Sequence, residues 1–199
     1  MLLQETSRAL RLRLGCQFRF QSPQPTPSIF LVHPDASECR VIEEHWESEQ
    51  FSPYHDYRDL YGNLCRRTTV PAGGSVVRYD VVVGTSPDPD PTAPDALEHL
   101  PGDLPDDVLL YTLPSRYCHS DVLAGQAFDL FGTSPPGWSR VQAICDWVHE
   151  RIEFSYGTST VATTALDVLE NGRGVCRDFT HLAMTFCRAL NMPASAPPP

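Results

Sequence analysis

The sequence predicts an α+β fold, with an all-β N-terminal half and a helical C-terminal half. Between Leu10 and Phe20 apolar residues occupy the even positions and arginine, glycine or glutamine the odd ones, which is the alternation of a half-buried strand. After about residue 120 apolar residues recur every three or four positions, as in amphipathic helices. A stretch rich in proline and acidic residues separates the two patterns.

The β half is expected to form a sandwich-like domain over residues 1–84. Apolar stretches at 29–32, 41–46 and 76–83 read as further strands. Turn residues such as Tyr61-Gly62-Asn63 separate them.

Residues 85–112 are expected to form a solvated linker. Between residues 85 and 107 there are seven acidic side chains and no arginine. A stretch of this composition buries too little apolar surface to offset the entropy lost on ordering. We therefore take it as the boundary between the two halves.

Composition argues against several classes of function. The chain has 15 basic residues, all arginine, against 25 acidic ones, for a net charge of −10, which disfavours binding to nucleic acid. No run approaches the roughly 20 apolar residues of a membrane-spanning helix. The seven scattered cysteines favour reduced thiols and a cytoplasmic location. We expect no cofactor and no metal, and the sequence does not fix the oligomeric state.

In the helical half, three helices are expected before the segment that contains Cys176 and Cys187. Ser120 is a suitable N-cap for a helix that ends at Gly132. Ser139 begins a capping-box pattern that predicts a helix over about 140–153. Thr164 is expected to cap a short third helix.

The most informative segment places Cys176 at the start of a fourth amphipathic helix. At about 100° per residue one face of this helix carries an apolar stripe. The stripe consists of Val175, Phe179, Leu182, Ala183, Phe186, Cys187 and Leu190. Unpaired amides at a helix N-terminus stabilise a thiolate and an oxyanion, which suits a nucleophile. The alternative is that Cys176 is a small hydrophobic residue without a chemical role.

Three segments resemble a bacterial transglutaminase-like family, a group of cysteine acyltransferases and peptidase-like proteins. They occur in the order expected for that family and span nearly the whole chain. The segments are Asp56-Tyr57-Arg58-Asp59-Leu60-Tyr61-Gly62-Asn63-Leu64-Cys65, Leu113-Pro114-Ser115-Arg116-Tyr117-Cys118-His119-Ser120-Asp121, and Gly174-Val175-Cys176-Arg177-Asp178-Phe179-Thr180-His181-Leu182 continuing to Cys187-Arg188-Ala189-Leu190.

The resemblance implies that residues 113–199 are the helical first part of a papain-like catalytic core, with Cys176 as the catalytic nucleophile. It also implies thioester chemistry on a protein or peptide substrate, at a glutamine side chain or a peptide bond, by acyl transfer or hydrolysis. The histidine and aspartate partners of the family follow this helix, whereas here the sequence ends in Pro197-Pro198-Pro199. The sequence is therefore expected to be truncated within the core and nearly inactive. The alternative is a non-enzymatic binding module or pseudoenzyme.

Other polar and aromatic residues near this helix receive structural interpretations. His181 is five residues from Cys176 and is expected on the solvated face, and His149 lies at the border of the preceding helix. Asp178 suits the helix dipole and amide capping. Tyr156 and Trp147 are interpreted as packing residues.

Two further expectations concern the fourth helix as a whole. A zinc site of Cys176, His181 and Cys187 is disfavoured, because these residues are spread around the helix axis. In a truncated core the stripe that includes Leu182 and Phe186 is expected to be exposed to water.

Overall fold

The computed structural model describes residues 10–35, 39–48, 53–89 and 91–196. The chain divides into two compact units, one up to residue 90 and one of residues Pro91–Ala196. The first is built of β-strands and the second mainly of helices, so the predicted α+β class is confirmed. The three C-terminal prolines lie outside the described residues.

The described residues of the first unit form two antiparallel sheets of three strands each. Its strands are β1 (Leu10–Ser22), β2 (Thr26–Phe30), β3 (Arg40–Glu47), β4 (His55–Arg58), β5 (Leu64–Val70) and β6 (Gly73–Thr85). The strand orders are β1-β6-β3 and β2-β5-β4. Phe30 and Val70 of the second sheet form one buried cluster with Val77 of the first. Because apolar residues of both sheets meet there, the arrangement is that of a sandwich.

The alternation along β1 is correct, but its burial is uneven. Even-numbered residues turn inward from Cys16 onward, whereas Leu10, Leu12 and Leu14 are exposed. The apolar cluster at this end of β6 is completed by residues such as Val32, in the connection between β2 and β3. A connection covers less of the sheet than a strand does, so the first apolar positions of β1 stay in solvent. Strands β4 and β5 were not predicted, since neither has a long apolar alternation.

The second unit contains four α-helices and a pair of two-residue strands. The elements are α1 (Ala124–Phe131), α2 (Trp138–Arg151), β7 (Glu153–Phe154), α3 (Ala165–Asn171), β8 (Arg173–Gly174) and α4 (Cys176–Ala189). Strands β7 and β8 are parallel. Their pairing places the end of α2 next to the start of α4.

Two of the three predicted helix caps differ from the structure. Helix α1 begins at Ala124, so Ser120 lies in the preceding turn and not at the cap. Helix α2 begins at Trp138 after Gly137, and no side chain caps it, so the capping box at Ser139 is wrong. The third prediction is confirmed, because Thr164 forms a capping box with α3.

The apolar stripe of α4 is buried, contrary to the expectation that it is exposed. Leu182 and Phe186 are fully enclosed by the other helices of this unit. The Phe186 ring meets the rings of Phe131 in α1 and Trp147 in α2 edge-on, with centroids 5.3 and 5.4 Å apart. Helices α1, α2 and α3 therefore supply enough apolar surface to cover the stripe, and Trp147 has the packing role expected of it.

Residues 91–112 are more ordered than a solvated linker. They contain two 3₁₀-helices, Pro101–Asp103 and Asp106–Thr112. The Glu98 carboxylate accepts hydrogen bonds from Arg140 at 2.8 and 2.9 Å and from the Gly137 amide at 3.1 Å. Gly137 has φ +88°, and a Cβ there would overlap the Ala96 carbonyl oxygen. A glycine at this position thus lets residues 96–98 lie directly against the start of α2.

Candidate active site

Cys176 is the first residue of α4, and its side chain is exposed. The chain reaches it through β8, where Gly174 pairs with Phe154 of β7. Val175 is extended, with φ −108° and ψ 175°, as is usual before a helix. A Cβ at Gly174 would lie 2.8 Å from the Cβ of Asp178. Only a glycine therefore lets β8 pass this close to the first turn of α4.

Two backbone amides next to the thiol have no acceptor. The amides of Asp178 and Phe179 both donate to the Val175 carbonyl, at 2.8 and 3.2 Å. Within the described part of the chain, neither the amide of Cys176 nor that of Arg177 donates a hydrogen bond. Unpaired amides at a helix N-terminus attract negative charge. This end of α4 can therefore stabilise a thiolate, or the oxyanion that forms when a thiolate attacks a carbonyl.

Asp178 is buried directly beneath this site, with only 1% of its surface exposed. Its Oδ2 accepts a hydrogen bond from the Val175 amide at 2.8 Å, and its Oδ1 accepts one from the Ser159 hydroxyl at 3.0 Å. Burial alone would raise the pKa of Asp178, but these hydrogen bonds and Arg177 together hold it below its usual value. The carboxylate is thus charged at neutral pH, and the expected capping role is confirmed.

Arg177 connects the start of α4 to the loop between β7 and α3. Its Nη2 donates to the Ser159 hydroxyl at 2.7 Å, to the Thr160 carbonyl at 2.9 Å and to Asp178 Oδ1 at 3.0 Å. The guanidinium therefore balances the buried charge of Asp178 and holds two consecutive loop residues.

Tyr117 makes a second connection to the same loop. Its hydroxyl donates to the Val161 carbonyl at 3.0 Å, and its own carbonyl accepts from the Ala165 amide at the start of α3. Its ring stacks on His181, with centroids 5.2 Å apart, and lies 5.8 Å from the Arg177 guanidinium. Tyr117 is therefore held by its hydroxyl, its ring and its backbone carbonyl.

His181 is not the solvated residue that helical geometry suggested. Its ring is half-buried against Tyr117, and its Nδ1 is buried with no hydrogen-bond partner. Burial, together with the nearby charge of Arg177, lowers the pKa of His181. The ring is accordingly neutral at neutral pH. The prediction that it lies off the apolar stripe is correct, but the segment around Tyr117 covers that side of the helix.

No histidine of residues 10–35, 39–48, 53–89 and 91–196 forms a hydrogen bond with the Cys176 thiol. His149 is exposed in the last turn of α2. His33 lies in the first unit, where its Nδ1 is 2.7 Å from Glu44. Within these ranges, therefore, the Cys176 thiol has no imidazole as a hydrogen-bond partner.

Tyr156 is exposed rather than packed in the core, with 86% of its surface accessible. Its ring meets the Phe154 ring edge-on, with centroids 5.0 Å apart. The Phe154 centroid is 6.4 Å from that of Phe179, which lies one turn along α4 from Cys176. The interpretation of Tyr156 as a core residue is therefore wrong. It belongs to a surface beside the first turn of α4.

Sequence reasoning did not single out Ser159 or Tyr117 as parts of this network. Ser159 lies in a serine- and threonine-rich stretch that resembles any polar loop, and Tyr117 is 59 residues before Cys176. The one available signal was that Tyr117 falls within a segment of the family resemblance. Its contact with residue 161 depends on the fold and leaves no mark on local periodicity.

Comparisons with known proteins give one family-model match and two similar proteins. Residues 126–195 match the sequence model of the Transglutaminase-like superfamily. A stretch of 53 residues is 36% identical to an uncharacterized protein of Mycobacterium leprae; it makes up 27% of this chain and 19% of that protein. The crystal structure of a "putative cysteine protease" from Cytophaga hutchinsonii is similar, with a TM-score of 0.81 and 29% sequence identity. The match covers 93% of this chain and 65% of that one.

This chain spans less than two thirds of the length of each of these two proteins. In the ranges that the structure describes, no helix has the length and apolar character needed to cross a membrane. The domain match covers α2, α3 and α4 and includes Cys176. Together with the structural similarity over nearly the whole chain, it supports a transglutaminase-like family for this protein.

Proposed function

We propose that this chain carries the nucleophile-bearing part of a transglutaminase-like cysteine enzyme, with Cys176 as the nucleophile. The thiolate attacks the carbonyl carbon of an amide, either a glutamine side chain or a peptide bond. A carbon–sulfur bond forms, the carbon–nitrogen bond breaks, and the nitrogen leaves as ammonia or an amine after taking up a proton. Water or a second amine then attacks the thioester and releases the thiol.

The observation that carries this proposal is the geometry of the first turn of α4. An exposed thiol stands beside two amides that have no acceptor, on a helix whose inner face is packed in the core. A cysteine that served only as a small hydrophobic residue would be expected inside the apolar cluster, as Cys187 is. The family similarity supports the same reading.

We further propose that these 199 residues turn over amide substrates slowly at most. Expulsion of an amine requires a general acid, and no described histidine is in contact with Cys176. Acylation by an activated ester does not have this requirement, because its leaving group departs without a proton. The first half of the reaction can therefore be tested on the chain as it is.

The experiment is to mix the chain with a p-nitrophenyl ester and to follow p-nitrophenolate release together with the mass of the protein. We expect one acyl group per chain on Cys176, and its loss in Cys176→Ala but not in Cys145→Ala, which removes another exposed thiol. Acylation spread equally over the exposed thiols would contradict the proposal and would favour a non-enzymatic binding module. Rapid incorporation of an amine into a glutamine peptide would contradict the proposed slow turnover.

A further inference from the structure

The loop of residues 155–164, between β7 and α3, is held in place almost entirely by hydrogen bonds. No side chain in this loop is buried. A ten-residue segment without buried apolar contacts ordinarily moves independently of the core. Here, however, several of its residues bond to groups outside the loop, so its position is fixed by polar contacts.

These external contacts converge on the residues that flank Cys176. The Ser155 amide donates to the Gly174 carbonyl at 3.0 Å, and the Ser159 hydroxyl donates to Asp178. Arg177 donates to the Thr160 carbonyl at 2.9 Å. Three points of the loop are thus tied to residues within two positions of the thiol, which places the loop beside the candidate nucleophile.

Tyr117 adds a tether from a different part of the chain. Its hydroxyl donates to the Val161 carbonyl, while its ring stacks on His181 and lies 5.8 Å from the Arg177 guanidinium. Threonine hydroxyls stiffen the loop internally, since Thr158 bonds to the Ser155 carbonyl at 2.7 Å and Thr163 accepts from the Thr160 amide at 2.8 Å. The tethers and the internal bonds together make this loop a preorganised surface.

The loop directs two large side chains outward. Tyr156 and Val161 are 86% and 83% exposed, respectively. Neither contributes to a buried cluster, although the loop backbone around them is fixed. A rigid loop that exposes aromatic and aliphatic groups next to a thiol suits an extended polypeptide better than a small polar acyl donor.

We propose that the loop of residues 155–164 is a fixed wall of the substrate groove beside Cys176, and that Arg177 and Tyr117 are positioning residues that hold it there. The acyl donor is then a polypeptide that contacts this wall through Tyr156. This inference rests on the proposed function of Cys176. Because the wall acts on the substrate and not on sulfur chemistry, loosening it changes the reaction with a peptide more than the reaction with a small molecule.

The test uses variants that break tethers without changing any charge. Tyr117→Phe removes only the hydroxyl that holds Val161, and Ser159→Ala removes the hydroxyl between Arg177 and Asp178. Ser139→Ala is the matched control, since this serine is exposed on α2 and caps nothing. Two probes alkylate Cys176: iodoacetamide and a short peptide that carries a chloromethyl ketone. Hydrogen exchange of residues 155–163 reports on the loop itself.

In the double variant we expect the second-order rate constant of the peptide reagent to fall about tenfold, while that of iodoacetamide changes by less than about twofold. Loop amides should exchange faster in the double variant and not in Ser139→Ala. The inference is overturned if both reagents slow by the same factor, if the peptide rate is unchanged while loop exchange increases, or if loop exchange does not increase. If neither reagent prefers Cys176 over Cys145 in the unmodified chain, the proposed function fails, and the inference falls with it.

Discussion

Helix α4 carries two cysteines, eleven residues apart, in opposite environments. Cys176 begins the helix, is exposed, and stands among unpaired amides and the charged network of Arg177 and Asp178. Cys187 lies in the apolar core of the second unit, where burial above all raises the pKa of its thiol to about 12. One helix thus carries one thiol that is packed in the core and one thiol that is exposed to solvent.

The comparison shows that position on the helix, and not residue type, separates a candidate nucleophile from a packing residue. The inner face of α4 is stabilised by apolar contacts that need no polar partner. The N-terminal turn is stabilised by hydrogen bonds from a neighbouring loop. Substitutions at the two ends of α4 should therefore have different effects on reactivity and stability. The following predictions test that difference, from the largest effect to the smallest.

The largest expected difference is in the alkylation of the native chain at pH 7. A thiol with a pKa near 12 is ionised to about one part in 10⁵ at this pH, and Cys187 is also sterically protected. We expect iodoacetamide to modify Cys176 at least about a thousandfold faster than Cys187, as measured by mass spectrometry of peptides. In guanidinium chloride the two rates should converge. Equal rates in the folded chain would remove the distinction on which the comparison is based.

The next effect is on stability, through Phe186. Replacement by alanine leaves a cavity among Phe131, Trp147 and their neighbours, and should lower the free energy of unfolding by about 3–5 kcal/mol. Phe179→Ala is the matched control on the same helix, and should cost clearly less because this ring is only half-buried. Urea unfolding of the two variants gives the comparison. Equal losses would mean that the apolar stripe is not anchored at Phe186.

Asp178→Ala should destabilise the N-terminal turn by about 2–3 kcal/mol, because the Val175 amide, the Ser159 hydroxyl and Arg177 lose a charged acceptor. A double-mutant cycle with Arg177→Gln measures how much of this is the ion pair. The second change should cost far less once Asp178 is absent. Fully additive losses would show that Arg177 and Asp178 act independently.

A smaller effect is expected in the pH dependence of stability, through His181. Its pKa in the folded chain lies below the ordinary value of 6.5, so the unfolded chain takes up a proton first as the pH falls. The free energy of unfolding should therefore decrease below about pH 6.5, and this decrease should be weaker in His181→Gln. His149→Gln, at an exposed position, is the control. If both variants retain the same acid profile as the unmodified chain, His181 is not the group responsible.

The smallest effect concerns two serine and threonine positions that look alike in the sequence. Thr164→Ala breaks a capping box on α3 and should cost about 1 kcal/mol. Ser139→Ala should be nearly neutral, because Gly137 occupies the cap position of α2. Thermal unfolding of both variants compares them. A loss at Ser139 as large as that at Thr164 would show that the sequence pattern was the better guide.

Local patterns predicted the parts of the molecule that depend on neighbours in sequence. The alternation of β1, the stripe of α4 and the cap at Thr164 all depend on residues within a few positions of one another. Non-local contacts escaped this reasoning. The burial of His181 requires Tyr117, and the order of residues 96–98 requires Arg140, each more than 40 residues away.

The same limit explains what was found of the candidate site. Cys176 could be singled out because a helix start, a glycine and a family segment coincide there. The loop that lies beside it could not, because a serine- and threonine-rich stretch has the composition of any solvated loop. Its ordering depends on Arg177 and Tyr117, whose partners only the fold reveals.

The contact of Glu98 with Arg140 and Gly137 has a practical consequence for dissecting the protein. The sequence prediction places the catalytic portion at residues 113–199. A shortened chain that starts at residue 113 would lack Glu98, so the Arg140 guanidinium would lose its carboxylate partner and the first turn of α2 would be exposed. A chain that starts at Pro91 keeps Glu98 and its hydrogen bonds with Arg140 and Gly137. Expression of the helical unit alone should therefore start at about Pro91, with residues 91–112 kept as part of that unit.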